Sequence, residues 1–149
     1  MTATGHALIG TVIAAKIGNP ALAAPIALAS HFAADALPHW DTGLHRKENG
    51  KKKFLIYSLF DVIIGFALSY ALINLFFPST NLTYAFFIII IAQLPDWLTA
   101  PYLFFDMKFP PFSWSYRLQK AFDNPLGAPW GVINQVAVVI FIIFLARMF

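Results

Sequence analysis

The chain has 149 residues, enough for one domain, with 59% hydrophobic residues, 11% charged residues and a formal net charge of +3. A water-soluble domain carries about 45–50% apolar and about 25% charged residues, so this composition excludes a polar surface on all sides and points to a single all-α integral membrane domain. The small net charge offers nothing for nucleic acid, and the absence of cysteine excludes disulfides and thiolate metal sites.

In chain order, the first predicted helix runs from about Thr4 to Ile17 and stops at Gly18-Asn19-Pro20. Fourteen residues rise only about 21 Å, short of the roughly 30 Å of hydrocarbon in a bilayer. The apolar run Ala7 to Ala15 followed by Ala21-Leu22-Ala23 has the shape of a secretory leader, but no Lys or Arg precedes it, so cleavage is not expected. A second helix covers about Ala21 to Leu37, with Pro25 near its first turn. The small residues of these two helices allow the close backbone contact that drives association in lipid.

A polar loop, Asp41 to Lys53, then holds five of the ten basic residues: Arg46, Lys47, Lys51, Lys52 and Lys53. A third helix from Phe54 to Phe77 is long enough to cross with tilt, and a fourth runs from Leu82 to Leu94. A proline-broken segment follows. Trp114, Leu118 and Phe122 recur at four-residue spacing beside Arg117 and Lys120, as in a helix lying in the interface plane over about 112–123. A last span covers about 130–148. Counting five spans, eight basic residues fall on one side and only Lys16 and Arg147 on the other. The positive-inside rule then puts the N-terminus in the cytoplasm and the C-terminus outside. The lysine loop reads as a contact for anionic lipid, and Trp40, Trp97 and Trp114 as interfacial anchors.

An internal repeat is legible. Gly5-His6-Ala7-Leu8-Ile9-Gly10 echoes Phe60-Asp61-Val62-Ile63-Ile64-Gly65, and Leu37-Pro38-His39-Trp40 echoes Leu94-Pro95-Asp96-Trp97. Residues about 4–41 and about 59–98 thus read as two copies of one helical hairpin in the same orientation. The match makes His6 equivalent to Asp61, and His39 to Asp96.

The ionisable residues carry the chemistry. A charge at mid-membrane costs about 2.5–3.5 kcal/mol on insertion scales and needs a partner. Asp61 lies eight residues past Lys53, about 12 Å deeper if helical throughout. His31, Asp35 and His39 follow each other at spacings of four, one helical face. Imidazoles with carboxylates suit a divalent metal, zinc first, and a carboxylate-rich set magnesium or manganese. His6, His39, Asp61, Asp96 and Asp35 are the expected ligands. Asp35 and Asp41 are the expected catalytic groups, with Asp35 taking a proton from water or supporting the ligands from behind, and His31 is expected as a hydrogen-bonded partner of Asp35. Asp41 reads equally as a turn cap. His45 is expected in solvent, and Asp106 and Asp123 beside Lys108 and Lys120.

An early His, His-x-x-x-Asp on the second helix and Leu-Pro-x-x-Asp at its end resemble the predicted membrane-bound metal-dependent hydrolases, which include the LexA-regulated inner-membrane proteins of bacteria. The resemblance covers residues 4–41 well and 54–98 loosely. It implies an integral membrane hydrolase with a bound metal, and it carries His6, Asp41 and Asp96 onto expected polar sites. Members of this type often show Leu-Pro-Asp-x-Asp, where this chain has His39 in place of the first acid. The function expected is hydrolysis of a lipid-borne ester or phosphoester near the cytoplasmic face, with membrane lipid as partner. A cation-binding or transport protein, or a structural membrane module with a buried polar network, are the alternatives.

Overall fold

The computed structural model describes residues 1–148. Among them are seven helices and no strand: α1 Ala3–Lys16, α2 Pro20–Asp35, α3 Arg46–Phe76, α4 Leu82–Ala92, α5 Leu94–Phe105, α6 Phe112–Phe122 and α7 Trp130–Met148. Local chemistry sets most boundaries. Thr2 caps α1 by accepting from the Gly5 N–H, Asn19 caps α2 ahead of Pro20, and Asn81 caps α4 by accepting from the Tyr84 N–H. Gly50 takes φ 72°, a left-handed value that breaks α3 between the basic turn and the apolar rod.

The short helix α1 lies at the centre and packs against α2, α3, α4 and α7. Gly5, His6, Ala7, Ile9, Gly10, Thr11, Val12 and Ala14 are all buried along it, so it is enclosed on several faces. Small residues make this possible. A Cβ on Gly10 would lie 2.8 Å from the Ala92 Cβ and 3.2 Å from the Ile89 Cα, and one on Gly65 would lie 3.1 Å from the Thr4 Cα. The apolar core of Ala14, Ala23, Ala27, Ala85, Ile88 and Ala92 joins α1, α2 and α4 by the same close approach.

Two helices, α3 and α7, are long and apolar enough to cross a membrane, and a third crossing exists if α4 and α5, bent by 51° at Gln93, form one broken span. This replaces the five spans expected from sequence. The reason is length: α1 has 14 residues and α2 has 16, about 21 and 24 Å of rise. Gln93 ends α4, and Pro95 opens α5 within the segment expected to be broken. A helix does cover the segment expected to lie in the interface, as α6, with Trp114, Leu118 and Phe122 exposed along one side. The two Leu-Pro-x-Trp sequences take different backbones: residues 37–40 follow α2 outside any helix, whereas residues 94–97 form the first turn of α5.

Replacing Gly10 by leucine is expected to push α1 off α4 and destabilise the protein by about 1–3 kcal/mol. Gly18→Ala, at a position with no neighbouring heavy atom within 4 Å, is expected to change little. Thermal unfolding of the two variants in one detergent checks the difference.

Candidate metal centre

Four side chains from three helices meet at one end of the bundle. His6 comes from the first turns of α1, His31 and Asp35 from the last turns of α2, and Asp96 from the first turn of α5. The His6 and His31 rings stack with centroids 3.8 Å apart and planes 18° from parallel. Asp35 lies across both, with one oxygen 3.2 Å from His6 Nε2 and the other 3.3 Å from His31 Nε2. The Met1 amino group also contacts Asp35. His31 Nε2 is 3.7 Å from Asp96 Oδ1. One ligand atom each from His6, His31 and Asp96 fall within 4.8 Å of one another, close enough to hold a metal ion.

The hydrogen bonds define proton positions. His31 Nδ1 is 2.9 Å from the Ala92 carbonyl oxygen, which only accepts, so Nδ1 carries the hydrogen and Nε2 of the neutral ring presents a lone pair. The Gln119 amide on α6 reaches that lone pair at 3.0 Å and Asp96 Oδ1 at 2.7 Å. Gln119 thus offers its protons to His31 Nε2 and Asp96, while Asp35 accepts from the Met1 ammonium. His6 is 1% exposed and neither ring nitrogen has a hydrogen-bond partner of good geometry. Buried polar atoms without partners are rare, and this one faces two carboxylates and a lone pair. A metal cation would give the His6 nitrogen a partner, beside the Met1 ammonium that already pairs with Asp35. A backbone carbonyl holding the far nitrogen of an imidazole is also the arrangement that orients metal-binding histidines.

The other expected site residues lie elsewhere. Asp61, expected as a ligand, instead caps α1: it accepts from the Ala3 N–H at 2.7 Å, the Thr4 N–H at 3.2 Å and the Thr4 hydroxyl at 2.6 Å. Free N–H groups at a helix start favour a carboxylate, and they occupy its lone pairs. His39, also expected as a ligand, is fully buried past the end of α2. Its Nδ1 bonds the Leu37 carbonyl at 2.8 Å, its Nε2 is 3.4 Å from Asp123, and its backbone bridges to Pro125. It clasps the segment between α6 and α7 rather than joining the cluster. Asp41 stays in its turn, accepting from the Thr42 hydroxyl at 3.3 Å. His31, expected only to orient Asp35, does contact it and also offers Nε2 to the cluster. Asp106 pairs with Lys51 rather than with Lys108, while Asp123 pairs with Lys120 as expected. His45 is exposed beside Glu48.

A cavity of about 690 Å³ opens at this end and includes Asp35, Asp41, Asp61, Asp96 and Gln119 in its lining. Arg46 and Lys47 line it as well, and neither has a carboxylate in ion-pair contact among the described residues. Arg46 donates to the Tyr116 hydroxyl at 3.3 Å. Leu59, Trp97 and Phe105 complete its apolar side and are exposed on the bundle surface. Sequence reasoning missed Gln119 and Arg46. The signal for Gln119 was its four-residue spacing from Ser115, beside the apolar stripe of α6, a pattern that reads equally as a solvated face. The chain matches no protein-family model, no curated protein and no solved structure.

Two outcomes follow. Asp61→Ala is expected to destabilise the protein by about 1–3 kcal/mol by freeing the α1 N–H groups, as read by thermal unfolding in detergent. Next, the His39 imidazole and the Lys120 ammonium hold the Asp123 carboxyl at about 2, down from 3.8. Because the folded value is the lower one, the stabilisation is present above pH about 4 and is lost as pH falls through about 2. The 123–126 segment is therefore expected to loosen in that window, and hydrogen exchange at the Leu126 N–H, which donates to His39, measures it.

Proposed function

We propose that the protein is a membrane-embedded metal-dependent hydrolase acting on an ester or phosphoester bond carried by a lipid. The observation that carries this reading is the buried His6, whose ring nitrogens lack a hydrogen bond of good geometry, stacked on His31 and within ligand distance of Asp96. Two imidazoles and one carboxylate form a set that zinc accepts in hydrolytic sites, with magnesium or manganese favoured by more oxygen ligands. His6, His31 and Asp96 would hold the ion, whose contribution when bound is to polarise a carbonyl or phosphoryl oxygen and to lower the pKa of water. Asp35, within 3.3 Å of both imidazoles, is placed to take the proton from the attacking water. It then returns that proton to the leaving alkoxide as the carbon–oxygen or phosphorus–oxygen bond breaks. Asp41 on the cavity wall is the other acid within the same space.

The lipid-borne substrate is supported by the cavity, whose acidic floor and unpaired Arg46 and Lys47 adjoin apolar residues exposed on the bundle surface. A bond next to a polar headgroup can then reach the acids while the acyl chain stays among Leu59, Trp97 and Phe105. The basic turn 46–53 at this end favours the cytoplasmic face. The resemblance to predicted membrane-bound metal-dependent hydrolases supports the same reading.

The detergent-purified protein is expected to carry metal in fixed stoichiometry, and removal by a chelator should abolish hydrolysis of chromogenic esters or phosphodiesters presented in micelles. Asp96→Ala and His6→Ala should each weaken metal binding by about 100-fold or more, since even groups that only orient ligands cost 10–100-fold. Asp35→Asn should keep the metal and lose turnover. Wild-type protein that binds no metal, or chelated protein that still hydrolyses, defeats the proposal.

A further inference from the structure

The Gln119 amide lies where a fourth ligand would be. Its terminal nitrogen is 3.0 Å from His31 Nε2 and 2.7 Å from Asp96 Oδ1, and those two atoms are 3.7 Å apart. Ligand atoms sharing one tetrahedral metal at about 2.0–2.2 Å are separated by about 3.3–3.6 Å. The end of Gln119 thus stands near co-ligand distance from two of the three metal-competent groups. In this orientation its NH₂ spends its protons on the two lone pairs that a cation would need. It cannot stay so oriented when an ion is held there. A half-turn about the last side-chain bond exchanges NH₂ for the carbonyl oxygen, and amide oxygens are ligands for divalent cations.

We propose that Gln119 is a displaceable fourth ligand, giving its Oε1 to the metal held by His6, His31 and Asp96. The assignment rests on the reading of this cluster as a metal centre. It takes one ligand from each of α1, α2, α5 and α6. Being neutral, the amide binds more weakly than a carboxylate and can yield to water or substrate, so it closes the site at rest without locking it. Its helix gives this ligand a second contact. On one side of α6, Trp114, Leu118 and Phe122 are exposed at interfacial spacing. On the other, Ser115 is tied to Thr99 and to the Pro95 carbonyl, each at 3.0 Å. Gln119 is one turn further on. Seating of α6 on the lipid surface and occupancy of the metal site are then reciprocally linked, because each biases the position of the same helix.

The test uses Co²⁺ as the probe on the purified full chain, with affinity read by chelator competition and ligand number by the visible absorption of the bound ion. Gln119→Ala is expected to weaken Co²⁺ binding about tenfold and to change the visible band, because water replaces the amide. Gln119→Glu, which keeps the length and supplies an oxygen, is expected to bind at least as tightly as wild type and shows that the position tolerates substitution. Equal affinity and an unchanged band in Gln119→Ala overturn the assignment while leaving the metal centre intact. Tighter binding in Gln119→Ala also overturns it, by showing the amide to be only a plug of the lone pairs. Wild-type protein that takes up no Co²⁺ overturns both the centre and this ligand.

Discussion

Imidazoles and carboxylates gathered inside an apolar helical bundle create a shortage of protons. Each group taken from water loses hydration worth several kcal/mol unless a partner replaces it. Around His31 the chain offers an imidazole lone pair and two carboxylates but few donors, and His6 beside them has no partner of good geometry. This imbalance of acceptors over donors is the constraint that the rest of the architecture serves. A sequence built only for stability would fill the position with apolar side chains, which pack without this deficit.

The helices hold the groups together by approaching unusually closely. Gly10 meets Ala92, and the carbonyl of Ala92 anchors His31, so the same contact that docks α1 on α4 also orients the imidazole. Asp61 fastens the start of α1 to α3, which brings His6 to the level of Asp35. The bend at Gln93 turns the first residues of α5 toward the cluster, and the Gln93 amide donates to the Ala3 carbonyl at 2.9 Å from that bend. Groups that do not belong to the cluster thus hold its members in place, as metal centres require of their surroundings.

Residue pattern revealed some of this and hid the rest for definable reasons. His31 and Asp35 were readable as neighbours because four-residue spacing on a helix is a local fact. His39, on the same spacing, left that face because Pro38 lies past the helix end and the chain turned to pair with residues 123–126. His6 and Asp96 were recognisable as buried groups in need of partners, but their convergence depends on how α1, α2 and α5 cross. Asp61 showed the same depth and charge as a ligand. Only the position of the α1 start, 57 and 58 residues away in sequence, assigned its lone pairs to backbone N–H groups. Gln119 carries no charge and sits on the polar face of an amphipathic helix, so nothing local set it apart.

Composition and apolar periodicity alone determined that the chain is helical, rich in exposed apolar side chains and equipped with an amphipathic helix, because those properties follow from residue type and near-neighbour spacing. Tertiary structure decided how many helices are long enough to cross and which acids meet which imidazoles. Those outcomes depend on where a helix breaks and how closely two backbones approach, and both are set by contacts between residues distant in the chain.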